Sequence, residues 1–233
     1  MTDRLRAGLL AVALVLPAAD EQSTVMTRSF SSMLLTLQAL AAVVAGKPEF
    51  MDALLQLTVP AEVLCSTLPA RVRGFVFDRV FVDYVCLGQG PLFGIASELA
   101  LKVTEMSVSY AQVFHTLEFR HGPKSIVGPE TLITFLLSET SYTAELEVLE
   151  EIKKLGGTTL VVTNQADARA RAAADLLVET DVEGPELSRL ATYLIAGQLL
   201  GLYTGLRKGF DPDRPPNLSR VVILEEETSD AAL

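Results

Sequence analysis

Residues 88–127 read GQGPLFGIASELALKVTEMSVSYAQVFHTLEFRHGPKSIV, and the first half of this stretch decides the fold. A Val- and Phe-rich run at 80–87 (VFVDYVCL) leads into the turn Gly88-Gln89-Gly90-Pro91, and helical periodicity follows from 94 to 108. Strand, glycine turn and helix in that order form the repeating unit of a parallel α/β sheet. Glycine serves the geometry of such turns in any α/β fold, so this GxG does not by itself mark an anion site. On the helix, Glu98, Lys102 and Glu105 recur at i, i+4 and i+7 and share one face. Such a row is commonly a solvated, salt-bridged surface. Read as chemistry, it is a carboxylate base held ionised by an adjacent ammonium. His121-Gly122-Pro123 adds one of the 2 histidines of the chain, an imidazole able to exchange protons near neutrality, in a segment that also reads as a plain turn.

Working outward, 131–137 (TLITFLL), 158–163 and 176–179 read as further strands, and the fold class is α/β with a parallel five-stranded sheet. Helices are expected at 23–44, at 50–59 and 61–68 with a break at Pro60, at 143–155, and at 187–207. In the fourth of these, Leu146, Leu149, Ile152 and Leu155 form an apolar face. In the last, Gly197 and Gly201 permit close packing on a neighbour, either in the core or at a dimer seam. After the 131–137 strand, Ser138-Glu139-Thr140-Ser141 offers hydroxyls, but Glu139 disfavours an anion there. The 8–17 run (GLLAVALVLP) reads as a buried strand. The alternative is a short secretory signal, with Arg4 and Arg6 before a charge-free stretch that ends at Pro17-Ala18-Ala19.

With 233 residues, 49% of them hydrophobic and 21% charged, the chain is that of a folded protein. A net charge of −10 argues against a nucleic-acid partner. Cys65 and Cys86 lie in apolar contexts and read as buried thiols rather than a disulfide. Two histidines and no Cys-x-x-Cys offer no metal site, and no cofactor is expected.

The 88–127 stretch resembles the second half of the double sugar-isomerase (SIS) family, which includes the isomerase domains of glucosamine-6-phosphate synthases and related ketose/aldose isomerases and deaminases. Residues 21–35 (EQSTVMTRSFSSMLL), 155–164 (LGGTTLVVTN) and 209–224 (GFDPDRPPNLSRVVIL) extend the likeness. The resemblance implies a three-layer αβα sandwich over 70–210, preceded at 1–69 by a remnant of a first SIS unit and followed at 211–233 by a tail that folds over the sugar site. It implies that Glu105 moves a proton between C1 and C2, and that His121, supplied by a neighbouring subunit, assists ring opening. Lys102, Glu98, Thr24, Asn217, Ser219 and Arg220 fall on substrate-binding positions.

Two departures stand out. Arg220 replaces the lysine of the synthase-like pattern and cannot form a Schiff base. No Ser/Thr-rich phosphate loop precedes Glu21, as in a truncated first unit. Met1 is followed by Thr2, without the cysteine that glutamine hydrolysis needs. The expected function is aldose–ketose isomerisation of a hexose phosphate or amino-sugar phosphate through a cis-enediol, by a cytoplasmic homodimer with no membrane partner. The alternatives are a non-catalytic phosphosugar-binding or assembly module, or an inactive fragment of a larger isomerase or deaminase.

Overall fold

The computed structural model of the chain describes residues 13–219. Three helices come first: α1 (Arg28–Val44), α2 (Pro48–Leu55) and α3 (Thr58–Phe77). Then β1 (Asp83–Gly88), α4 (Pro91–Ser107), β2 (Ala111–His115), β3 (Thr131–Leu136), α5 (Tyr142–Lys154), β4 (Thr158–Thr163), α6 (Ala168–Ala173), β5 (Leu176–Glu179) and α7 (Leu190–Arg207) build one layered unit. The five strands are all parallel and run in the order β2-β1-β3-β4-β5. This is the α/β sandwich expected.

Alternation along the strands sends side chains to two separate cores. Tyr84, Cys86, Leu132, Leu136, Leu160 and Val162 face α3, α4 and α7. Val85, Leu87, Ile133, Phe135 and Val161 face α5 and α6. β3 is buried along its whole length, as befits a central parallel strand covered on both sides.

Glycine sets the closest helix contact. A Cβ at Gly197 would lie 2.0 Å from Leu99 Cγ, one at Gly201 would lie 2.7 Å from the Lys102 carbonyl oxygen, and one at Gly205 would lie 2.2 Å from that of Met106. These three positions, four residues apart, let α7 lie backbone to backbone on α4. Of the two readings of Gly197 and Gly201, packing within the core is the one observed.

Several expectations are corrected. The fifth strand of the sheet is 111–115, whose half-buried edge position explains its weak apolar signal. Pro60 does not break a helix. The break falls at Gln56-Leu57, and Pro60 sits in the first turn of α3, where its missing N–H costs nothing. The 187–207 helix begins as a 3-10 turn, Glu186–Arg189, before α7. Leu155 caps α5 and is exposed rather than part of its apolar face. Cys65 is exposed, whereas Cys86 is buried and its thiol is pushed up to about 12 by that burial. Within the 8–17 run, residues 8–12 lie outside the described residues, and 13–16 form no strand before the 3-10 turn Pro17–Ala19.

The span Pro48–Phe77 is long enough to cross a membrane and contains an 18-residue window apolar enough to do so, with a mean hydropathy of 1.3. It is nevertheless two helices, it carries Glu62, Arg71 and Arg73, and Leu68, Val72 and Val76 are fully buried in the core. Residue 70, the expected start of the SIS unit, lies inside α3.

Candidate active site

α4 is held at both ends by backbone geometry. Gly90, with φ 54°, precedes its first turn, and a Cβ at Gly88 would lie 2.4 Å from the Leu92 carbonyl oxygen, so the strand-to-helix turn admits only glycine there. Leu92, Ile95, Leu99 and Val103 fasten one side of α4 to the core. That packing turns Glu98, Lys102 and Glu105 toward a cleft of about 560 Å³, whose other walls are the 20–30 segment and the tail. Thr24, Phe30, Leu218 and Ser219 line it with them. Thr24 N–H donates to the Asp213 carbonyl at 3.0 Å, which ties the 20–30 segment to the tail.

Glu21 fixes the start of α1. Its Oε1 accepts from the amides of Thr27 at 2.6 Å and Ser29 at 2.7 Å, and from the Ser29 hydroxyl at 3.0 Å. Burial alone would raise its pKa, but these donors outweigh burial and hold it below the usual carboxylate range.

The Glu row is no solvated face. The side chains of Lys102, Glu98 and Glu105 are 2%, 7% and 19% exposed. Lys102 Nζ donates to Glu105 Oε2 at 2.5 Å. It stands 3.4 Å from Glu98 Oε1, an ion-pair distance without hydrogen-bonding geometry, so that buried oxygen has no hydrogen-bond donor. Burial pushes Glu98 above the usual carboxylate range, Lys102 opposes this, and the neighbouring Glu105 charge adds to it. The cleft therefore holds one ammonium hydrogen-bonded to one carboxylate, beside a second carboxylate that resists ionisation.

His121 is elsewhere. It ends the 3-10 turn Glu118–His121 and is exposed, and among the described residues the cleft is lined by no histidine. Phe119 anchors this turn in the core shared with α5, on the side of the sheet away from α4. Glu151 accepts from Arg120 Nε at 3.2 Å and from Lys124 Nζ, so the cations on either side of His121 share one carboxylate on α5. Gly122, at φ 137°, makes the reversal between them. Ser219 reaches the cleft; Asn217 is exposed, with φ 64°, and is not among the residues lining it. Arg220 lies outside the described residues.

Two residues escaped sequence reasoning. Glu145 is fully buried: its Oε1 accepts from Thr116 Oγ1 at 2.9 Å, and its Oε2 from Ser138 N at 2.8 Å and Ser138 Oγ at 2.7 Å. It thus joins the loops that follow β2 and β3, and burial raises its pKa against the pull of these donors. The available signal was a carboxylate on the apolar row of Leu149 and Ile152, at i, i+4 and i+7. His115, the second histidine, stacks on Phe93 with ring centroids 4.0 Å apart, and its Nδ1 is buried without a hydrogen-bond partner. In the loop after β3, Glu145 takes the Ser138 amide, Glu186 the Glu139 amide and Ser138 Oγ the Ser141 amide, so three of the loop's backbone donors are engaged by its own neighbours. Among the described residues no group of three or more metal-ligating side chains occurs.

Residues 84–202, just over half of the chain, match the SIS domain. The chain belongs to the SIS-domain family. This SIS protein is 26% identical over 190 residues to the glutamine–fructose-6-phosphate aminotransferase (isomerizing) of Brucella melitensis, which covers 81% of this chain and 30% of that enzyme. It is 32% identical over 145 residues to the Caulobacter vibrioides enzyme of the same name, covering 61% of this chain and 24% of the other. Among solved structures, a candidate tagatose-6-phosphate ketose/aldose isomerase of Clostridium novyi superposes with a TM-score of 0.84 at 26% identity, covering 96% of this chain and 61% of that one. The glucosamine-6-phosphate deaminase of Thermotoga maritima gives 0.69 at 27%, covering 90% and 61%. The chain thus spans less than a third of these two aminotransferases and about three fifths of the two solved proteins.

Proposed function

We propose that this SIS protein is an aldose–ketose isomerase for a sugar phosphate, with Glu105 as the base. The observation that carries the reading is the buried Lys102–Glu105 pair at 2.5 Å, opening into a cleft of about 560 Å³. A carboxylate held next to an ammonium, both largely out of water, is charged, oriented and close to where a sugar's C1–C2 edge would lie. Glu105 takes the proton from the carbon next to the carbonyl. The C–H bond breaks, its electron pair becomes the C1–C2 double bond of a cis-enediol, and the carbonyl oxygen takes up the negative charge and then the proton of the neighbouring hydroxyl. Return of the Glu105 proton to the former carbonyl carbon, as the oxygen that gave up its proton becomes the new carbonyl, completes the isomerisation with no net oxidant.

In this reading Lys102 orients Glu105 or binds a sugar oxygen, Thr24 and Ser219 contact the substrate from the two segments that roof the cleft, and Asn217 and Arg220 are substrate contacts that the family resemblance alone implies. His121 opens the sugar ring in the site of a second copy, because within one chain it faces away from the cleft. A cytoplasmic homodimer acting on a hexose or amino-sugar phosphate follows from the same reading. The relatives named for tagatose 6-phosphate and glucosamine 6-phosphate support that substrate class.

The direct test is incubation with hexose and amino-sugar phosphates in D2O. Deuterium at C1 or C2 of recovered sugar is the expected result, since the shuttled proton exchanges with solvent on the carboxylate. Thermal stabilisation by a sugar phosphate with no deuterium uptake would favour the second reading, a binding module. The exposed, outward-facing His121 favours that reading if no second copy associates.

A further inference from the structure

Lys102 stands between two carboxylates, paired with both but hydrogen-bonded to only one of them. Its ammonium donates to Glu105 Oε2 at 2.5 Å, while Glu98 Oε1 waits at 3.4 Å without a hydrogen-bond donor. Glu98 lies one turn before Lys102 on α4 and Glu105 one turn after it, so a side-chain rotation carries the ammonium from one to the other. The helix backbone cannot assist, because the Lys102 carbonyl lies against Gly201 of α7, with no room for a Cβ there.

We propose that Lys102 hands its charge from Glu105 to Glu98 as Glu105 accepts the substrate proton, so that Glu98 is a positioning residue of the proton-transfer step. This rests on the reading of Glu105 as the base. A buried ammonium needs a counter-charge at every stage, and losing one is more costly than never having had it. When the substrate C–H bond breaks and Glu105 becomes a neutral acid, its hold on Lys102 weakens. The nearest remaining carboxylate is Glu98, which the ammonium keeps ionised and which takes over as its counter-charge with no further proton moved. Proton return to the neighbouring carbon recharges Glu105 and draws Lys102 back.

Among the described residues, the other charged groups facing the cleft do not take this part. Glu21, on the 20–30 segment, is committed to the first amides of α1, and Asp20 lies beside it at the cleft wall. The neutral tail residues Leu218 and Ser219 close the remaining side.

Glu105→Gln fixes the base in its uncharged state, and the response of Glu98 can be read without turnover. Carboxyl 13C NMR of glutamate-labelled protein follows Glu98, with its signal assigned by its loss in Glu98→Gln. The midpoint of Glu98 should fall by about one pH unit in Glu105→Gln. With Lys102→Met in both proteins, less than about half of that fall should remain, since only the loss of the Glu105 charge then acts. Methionine fills the lysine volume, so the fold is kept. A midpoint that Glu105→Gln leaves in place, or one that falls equally without Lys102, overturns the hand-off. In turnover, Glu98→Gln should lower kcat for deuterium exchange about tenfold with KM nearly unchanged, the signature of an interaction made during proton transfer. An equal rise in KM with kcat intact would instead make Glu98 a plain substrate contact and overturn the proposal. A wild type that exchanges no deuterium defeats the isomerase reading alone, because the titration still decides the hand-off.

Discussion

The Glu98-Lys102-Glu105 row and the His121-Gly122-Pro123 turn are both short charged motifs, yet the fold treats them oppositely. The first is pressed into a cleft by a helix whose adjoining side meets three glycines of α7. The second is fastened to α5 through Glu151 and offered to solvent. A motif completed within one chain and a motif presented outward have different requirements: the first depends on packing, the second on a second molecule. This contrast carries the proposed isomerase, in which the base is built in and the ring-opening group is borrowed.

The contrast can be sharpened by variants that separate the two motifs. Glu105→Gln should cost about 10²- to 10⁴-fold in exchange for both ring and open-chain forms of the sugar. His121→Asn should cost less, and should spare a substrate supplied largely in its open form. Equal losses on both forms would break the contrast. Gly201→Leu should destabilise the fold by about 2–4 kcal/mol, read by denaturant unfolding, because the new side chain meets the Lys102 carbonyl.

Next in size is a pH effect. Glu98 has a folded pKa raised above its unfolded value, so the stability linked to it is present below the unfolded pKa and lost as pH rises through the folded one. Glu98→Gln removes that loss. The stability of the variant relative to wild type should therefore increase from about pH 4 toward neutrality, as measured by unfolding at several pH values. Smallest is Glu151→Gln, which loosens two partly exposed ion pairs. It should change global stability by less than about 1 kcal/mol while increasing proteolysis near His121.

The parallel sheet was legible because 131–137 and 158–163 are apolar runs between clear turns, and because the glycine turn at 88–91 joins strand to helix. The edge strand Ala111–His115 was not, since half-buried positions carry mixed residues. The spacing of Glu98, Lys102 and Glu105 showed a shared face but not its burial, which depends on Gly197, Gly201 and Gly205 more than ninety residues later. Glu145 was hidden because its partners, Thr116 and Ser138, meet it only once β2 and β3 lie on either side of β1. Likewise, nothing local to His121 tells which side of the sheet it will face.

The most direct measurement mixes two proteins that are each impaired on the ring form of the sugar. Glu105→Gln and His121→Ala variants, each purified alone, would be co-refolded in equal amounts and assayed for sugar-phosphate isomerisation. If base and histidine meet across two copies, mixed dimers hold one intact site, and activity should return to about a quarter of wild type by random pairing. No recovery in a mixture shown to contain mixed dimers, or full activity of His121→Ala by itself, would contradict the account.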